Sequence, residues 1–418
     1  MMKALNDNAH PLESLLQQHC PNGVEFKELG ELGEFSNTGV DKKKNEKEKE
    51  VILLNFVDVM KNHYIDEKIP TMIVTASDNK IKQCTCEKGD IFITPSSETI
   101  DEIGFASVIT KTLSNTCYSY HIMRYRLFEK QITTSFFIRY LFESEIIRQQ
   151  IRKYATGLTR FGLKKQKWEQ IKIPLPPLEI QSKIVEILDA FTELQAELQA
   201  ELQAELQARL KQYHYYRNKL LSFEELQRRT DMLNGGGLKL VSLGEVCEIL
   251  DNLRKPITKS KRTQGIYPYY GANGIQDYVN EYIFDGDFLL MGEDGSVINK
   301  DNSPVLNWVS GKFWVNNHAH ILKEKSNTTN LRFVFFYLQT CDVSSIVRGV
   351  PPKINQQNLK TIQIPLPPLA VQNEIVELLD KFDTLTNDLT SGIPAEIEAR
   401  KKQYEYYRER LLSFIAKD

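Results

Sequence analysis

The segment IKIPLPPLEIQSKIVEILDAFTEL, residues 171–194, returns as IQIPLPPLAVQNEIVELLDKFDTL at 362–385. Downstream, ARLKQYHYYRNKLLSF at 208–223 returns as ARKKQYEYYRERLLSF at 399–414. Both pairs are displaced by the same 191 positions, so no insertion separates the copies internally. An internal repeat fixes the architecture before any local reading. Only two copies exist, each preceded by a long stretch of unlike sequence, so the chain is no solenoid. It alternates variable and repeated parts.

In each copy the Pro-rich lead-in holds the chain extended and marks a boundary. After Pro177 a helical pattern should begin near Glu179 and run to about Phe223. At about 1.5 Å per residue it would be roughly 65 Å long. Inside it lies the four-residue repeat TELQAELQAELQAELQARL, with Leu194, Leu198, Leu202, Leu206 and Leu210 four apart. A four-residue step drifts about 40° around a helix, so the stripe winds. This suits one long helix against a partner: either a low-complexity coiled coil or a ruler between two domains. In the second copy SGIP at 391–394 interrupts, and Pro394 should break or kink the helix. QRRTDMLNGGGLK, 227–239, reads as a flexible linker.

The variable parts also open alike, with Leu29-Gly30-Glu31 and Leu243-Gly244-Glu245; a short amphipathic start, LESLLQQHC, precedes the first. DKKKNEKEKE, 41–50, reads as a solvated loop. From Val51 the pattern is strand-like: VILLNFVDVM, TMIVTAS, GDIFITPSS, FASVIT and CYSYHIMRYRL. SFFIRYLFESEIIRQQIRKYA, 135–155, then reads as a helix. The second variable part repeats the order, with YPYYGA, YIFDGDFLLMG, SPVLNWV and HAHILKE as strands and LRFVFFYLQTCDVSSIV, 331–347, as helix. Each variable part is therefore expected to be a mixed α+β domain.

Bulk properties bound the function. The 418 residues allow two to four domains, and a net charge of −2 argues neither for nor against nucleic acid. No run of eighteen apolar residues suggests a membrane span, and the N-terminus lacks the apolar core of a signal peptide. Six scattered cysteines fit a reducing cytoplasm rather than a disulfide framework.

The strongest chemical signal precedes each lead-in. Residues 151–167 carry Arg152, Lys153, Arg160, Lys164, Lys165 and Lys167 and no acid. The second equivalent, SIVRGVPPKINQQNLKTIQ, carries Arg348, Lys353 and Lys360, again without an acid. Each includes a Gly- or Pro-rich loop, Gly157–Gly162 and Gly349–Lys353. Such loops suit phosphate oxygens, although a helix C-terminus also favours cations through its dipole. Candidate base-reading groups are Thr94, Ser96 and Ser97 with Glu98 in the first part. In the second they are Tyr269, Tyr270, Asn273, Glu293, Asp294, Asn316, Asn317 and His318. Asn pairs well with adenine and carboxylates with cytosine, but a plain turn role is as good a reading of each.

Other chemistry finds no support. Cys84-x-Cys86 with Cys117 and His121 lacks zinc spacing, and GEDG lacks the rest of a calcium loop. His318-x-His320 reads as strand residues on one face. No GxxxxGK[ST] loop, no Asn/Asp-Pro-Pro-Tyr tetrapeptide and no helicase motif occurs. No catalytic residue and no metal site is expected.

The paired IPLPPL-x-x-Gln-x-x-Ile-Val segments, CPNGVEFKELGELGEF at Cys20, the LQAE tandem and the GEDG…VNNHAHIL pattern resemble the specificity subunits of type I restriction-modification systems. The resemblance covers essentially the whole chain. It implies a pseudo-two-fold α+β architecture: two mixed α/β target recognition domains separated by two long, antiparallel conserved helices. The modules would be recognition domains at 1–165 and 233–358, and helical spacers at 166–232, with the LQAE repeats, and 359–418. It further implies double-stranded DNA as ligand, read as an asymmetric bipartite site. The implied partners are two methyltransferase subunits and two restriction/translocase subunits, which would carry S-adenosylmethionine, ATP and Mg. Leu175, Leu178 and Ile184, and Leu366, Leu369 and Ile375, are the matching candidates for partner docking. The alternatives are a coiled-coil scaffold without DNA recognition, which leaves the two basic loops unused, and a self-contained nuclease, which would need an acidic metal cluster.

Overall fold

The structure is a computed structural model that describes residues 18–413 except 22, 130, 234, 235, 326 and 389. The start LESLLQQHC falls largely outside the described residues, as does the first glycine of the linker. The longer helices are α1 (Ser135–Glu143), α2 (Glu145–Tyr154), α3 (Leu178–Leu220), α4 (Phe223–Met232), α5 (Leu331–Leu338), α6 (Leu369–Asn387) and α7 (Ile393–Ser413). The chain divides into two compact units: residues 1–199 with 399–418, and residues 200–398. These do not follow the sequence modules, because the end of each repeated part closes the unit built on the other variable part.

Unit 1 holds a five-stranded sheet in the order Gly33–Ser36, Met123–Leu127, Ile91–Ile93, Ala106–Ile109, Tyr64–Ile65. All neighbours are antiparallel except the last pair. Its core gathers Phe137, Tyr140, Trp168 and Ile180. A second sheet, Met72–Ala76, Lys49–Leu54, Thr116–Tyr118, covers a separate core around Leu53, Cys117 and Tyr118.

Three local readings need correction. CYSYHIMRYRL is not one strand but two in different sheets, Thr116–Tyr118 and Met123–Leu127, parted by a turn. VILLNFVDVM is a strand only to Leu54; Asn55 then accepts from the N–H groups of Val57 and Asp58, and Asp58 returns the bond, starting a helix at Phe56–Lys61. The single helix expected over 135–155 is two, because Ser144 is extended (φ −77°, ψ 151°) and its hydroxyl turns back to the Leu141 carbonyl.

Unit 2 holds a six-stranded sheet, Cys247–Ile249, Ala319–Glu324, Phe284–Gly292, Leu306–Val315, Gln264–Gly271, Gly274–Val279. Its first five strands have the strand order of unit 1's sheet, and Gln264–Gly271 is likewise parallel to its inner neighbour. The unlike variable parts thus share one topology. The helix expected over 331–347 stops at Leu338, and only a 3-10 turn, Ser344–Ile346, follows.

The repeated sequence has a structural reason in both units. The opening strand Phe26–Glu28 pairs with the lead-in Lys172–Pro174, as Lys239–Ser242 pairs with Gln363–Leu366. The glycine of each Leu-Gly-Glu is pressed against a short helix: a Cβ on Gly30 would lie 3.0 Å from Glu169 Cβ, and on Gly244 3.0 Å from Lys360 Cβ. The glutamine of each IPLPPL-x-x-Gln is a buried clamp. Gln181 donates to the carbonyls of Ile132 and Pro176 and accepts from Thr133 and Thr134 ahead of α1. Gln372 donates to Thr328 and Pro367 and accepts from Asn330 N ahead of α5.

The helical expectations hold with adjusted ends. α3 is one helix of 43 residues, followed by α4, which Ser222 caps; the linker expected at 227–239 is therefore helical as far as Met232, where buried Leu226 and Thr230 anchor α4. The break expected at Pro394 takes the form of two separate helices. Pro394 is the second residue of α7, in the first turn, where its missing N–H leaves no intrahelical bond unmade. Within unit 1, α7 runs antiparallel to α3: Thr192 bonds Tyr404 at 2.8 Å and Phe191 packs on Tyr407. Within unit 2, α3 and α4 run antiparallel to α6: Tyr216 stacks on Phe382, and Arg229 pairs with Glu374 at 2.7 Å.

Candidate nucleic-acid interface

In unit 1 the loop leaving strand Ile91–Ile93 and the basic loop after α2 are stitched together. Ser96–Ser97 pair with Phe161–Gly162, and Leu163 N donates to Pro95 O at 3.3 Å. Thr156 and Gly162 exchange N–H···O bonds of 3.1 and 3.0 Å, closing the basic loop on itself. Arg160 Nε reaches Ser96 Oγ at 3.2 Å, so two candidates chosen from distant segments meet. Beside them opens a recess lined by Phe56, Ser97, Glu98, Glu102, His121 and Arg160. Phe56, which opens the helix Phe56–Lys61, and His121, in the turn after Thr116–Tyr118, carry no local pattern that marks them as base readers.

In unit 2 the corresponding loops meet in the same way. Glu293 and Asp294 follow strand Phe284–Gly292; Gly295 N donates to Pro352 O and Ile354 N to Glu293 O, at 2.9 and 2.8 Å. Arg348 and Lys353 exchange backbone bonds of 2.8 Å in both directions, closing the second basic loop. Lys353 Nζ lies 3.0 Å from Glu293, and Asp294 bonds the His318 ring. Asn316 N donates to Tyr270 O at 3.0 Å, and Asn273, at the adjoining hairpin tip, is exposed. Glu293, Asp294, His318, Arg348 and Lys353, scattered over some sixty positions, thus form one surface, with exposed Asn317 beside them.

Several candidates have other duties. Thr94 is wholly buried, donating to Glu102 O and accepting from Phe105 N, so it holds its loop and is closed to DNA. Ser97 is buried against Glu102, and buried Asn316 caps the turn at His318 N and bonds Gln276. Arg152 pairs with Glu145 and Lys165 with Glu169, so the first segment is acid-free in sequence but not in space. Lys164 is exposed. Of the docking candidates, Ile184 and Ile375 lie in the cores and cannot meet a partner. Leu175, Leu178 and Leu366 are partly buried and Leu369 is exposed.

Behind the second basic loop is a buried polar cluster that the sequence did not announce. His320 Nδ1 meets Asp251 Oδ2 at 2.6 Å and its Nε2 donates to Ile354 O at 2.8 Å, tying the loop to the sheet. Burial alone would raise the Asp251 carboxyl; His320, Arg254 and the Ile321 N–H outweigh it and hold Asp251 below the usual range. Ligand atoms of Asp251, Glu293 and His320 lie within 4.8 Å of one another. Arg254 already bonds Glu293 and flanks Asp251, and Lys353 pairs with Glu293, so the carboxylate charge is taken up by protein cations. Among the described residues no helix is long and apolar enough to cross a membrane.

The type I restriction modification DNA specificity domain matches the chain twice, over residues 21–208 and 236–399. A type I restriction enzyme specificity subunit of Escherichia coli, EcoprrI, is 30% identical over 76% of this chain and 78% of its own length. A chain of Haemophilus influenzae described as such a subunit is 43% identical over 44% of this chain and 48% of its own. A solved chain from a study of type I R-M complex assembly and conformational transition shares the fold, with a TM-score of 0.62 at 16% identity over 94% of this chain and 98% of that one. The doubled profile match coincides with the doubled lead-in, clamp and sheet, and the chain belongs to the type I restriction modification DNA specificity family.

Proposed function

We propose that the chain is the non-catalytic DNA-reading subunit of a type I restriction-modification complex in the cytoplasm. It binds a bipartite duplex site, one half per recognition domain. The observation that carries this reading is the basic loop that occurs twice, each time closed on itself and stitched to the loop after the same sheet strand. Cations there supply phosphate contacts, and the neighbouring polar side chains supply base-edge contacts. Methyltransferase and restriction/translocase subunits, two of each, bring S-adenosylmethionine, ATP and Mg. Leu369, with the exposed edges of Leu175, Leu178 and Leu366, faces the methyltransferases.

The LQAE stretch of α3 then acts as the spacer element. Mapping methylated adenines in a host that expresses this chain with its methyltransferase tests the reading. Deleting one LQAE unit should shorten the unspecified spacer and leave both half-sites as they were. A changed half-site at constant spacing would refute the ruler.

A further inference from the structure

We infer, building on the DNA-reading role above, that Leu158 and Val350 are wedges: apolar side chains that each recognition domain inserts between stacked base pairs. They are the two most exposed large apolar side chains among the described residues, at 95% and 101% of full exposure. Single exposed apolar residues are ordinary and need no account. These two sit at the tips of the two basic loops, which the common sheet topology makes equivalent although their sequences differ.

The tips are held out by construction. Thr156 and Gly162 close one loop and Arg348 and Lys353 the other, each by a reciprocal pair of backbone bonds. Each apolar residue follows a glycine with left-handed φ, +149° at Gly157 and +82° at Gly349. At Gly157 a Cβ would lie 2.0 Å from the Arg160 carbonyl oxygen, so the turn that lifts Leu158 admits no side chain there. Arg160 stands two residues beyond Leu158, and Arg348 and Lys353 bracket Val350 and Pro351. Proteins that kink DNA drive apolar side chains into a base step while nearby cations hold the phosphates. A loop closed by paired backbone bonds, with an apolar tip flanked by cations, fits a partly unstacked step.

The test uses the assembled complex with its methyltransferase. The probe is a duplex carrying the site at which host methylation maps, with 2-aminopurine placed at successive steps outside the target adenine. Wild type should raise the probe's emission at one step in each half-site. Leu158→Ala should abolish the rise in one half and weaken binding about tenfold, the order that losing one side chain packed on a base costs. Val350→Ala should do the same in the other half, and Leu158→Met should restore the first. Unchanged melting of the variants, expected at exposed tips, separates this from misfolding. If the wild type binds the site selectively but shows no rise, or the Ala variants bind within about twofold of it, the wedge is overturned and DNA reading stands. If the wild type shows no salt-dependent, site-selective binding, the DNA reading falls, and the wedge with it.

Discussion

Unit 1 and unit 2 are closed by near-identical helical segments that meet different partners. In unit 1, Arg408 of α7 pairs with Glu143 at 3.3 Å, and buried Arg139 bonds the same carboxylate. In unit 2, the matching Arg217 of α3 bonds neutral Gln339 at 3.0 Å. Asp189 accepts the hydroxyls of Tyr64 and Tyr140, whereas its counterpart Asp380 pairs with Arg332, as Asp383 does. The repeat therefore keeps its polar positions, and each variable domain supplies its own complement. What recurs by sequence is the backbone of the arrangement; the electrostatics are local.

The clamp is where the units should agree. Gln181→Ala and Gln372→Ala each strand several buried backbone groups at about 1–3 kcal/mol apiece, so each should cost about 4 kcal/mol in urea unfolding. One copy costing under about 1 kcal/mol would break the equivalence. A difference should appear behind the basic loops. Asp251→Asn removes one partner from a buried charged cluster and should cost about 3 kcal/mol, and unit 1 has no counterpart among its described residues.

The pH dependence has a definite sign. Asp251 is held below its usual value in the fold, so its contribution is complete above the unfolded value of about 3.9 and is lost as pH falls through the lower folded value. Melting curves of wild type and Asp251→Asn should therefore converge on acidification. The smallest effect sharpens the comparison most. Arg408→Met and Arg217→Met should each cost about 1 kcal/mol. The Arg408 change, at a direct ion pair, should shrink more as salt rises than the Arg217 change, whose bonded partner is neutral and whose charged neighbour Asp301 makes no ion pair with it.

The repeat, the helix boundaries at Pro177 and Pro394 and most strands could be read from periodicity and proline chemistry. The convergence of Glu293, His318 and Lys353 could be guessed only as a set of polar turns, because nothing local states which turns meet. Asn55 and Ser144 misled because one side chain, capping a helix start at Asn55 and turning back to the Leu141 carbonyl at Ser144, overrides the apolar pattern around it. Thr94, Ile184 and Ile375 misled differently: residue type shows what a side chain can bond, and only packing shows whether it is reachable. The second sheet of unit 1 inserts non-local pairs, such as Leu53 beside Cys117, that no window of sequence contains.

The closure of unit 1 by α7 also constrains how the chain is made. Thr192 waits for Tyr404, 212 residues later, and Glu145 for Glu409, 264 residues later. On a ribosome adding roughly 5–20 residues per second, the first domain stays open for at least some ten seconds. During that interval Phe191 and Thr192 at the start of α3 lack the cover of Tyr407 and Tyr404. The last contacts of unit 1 therefore form only after the whole of unit 2 has been made.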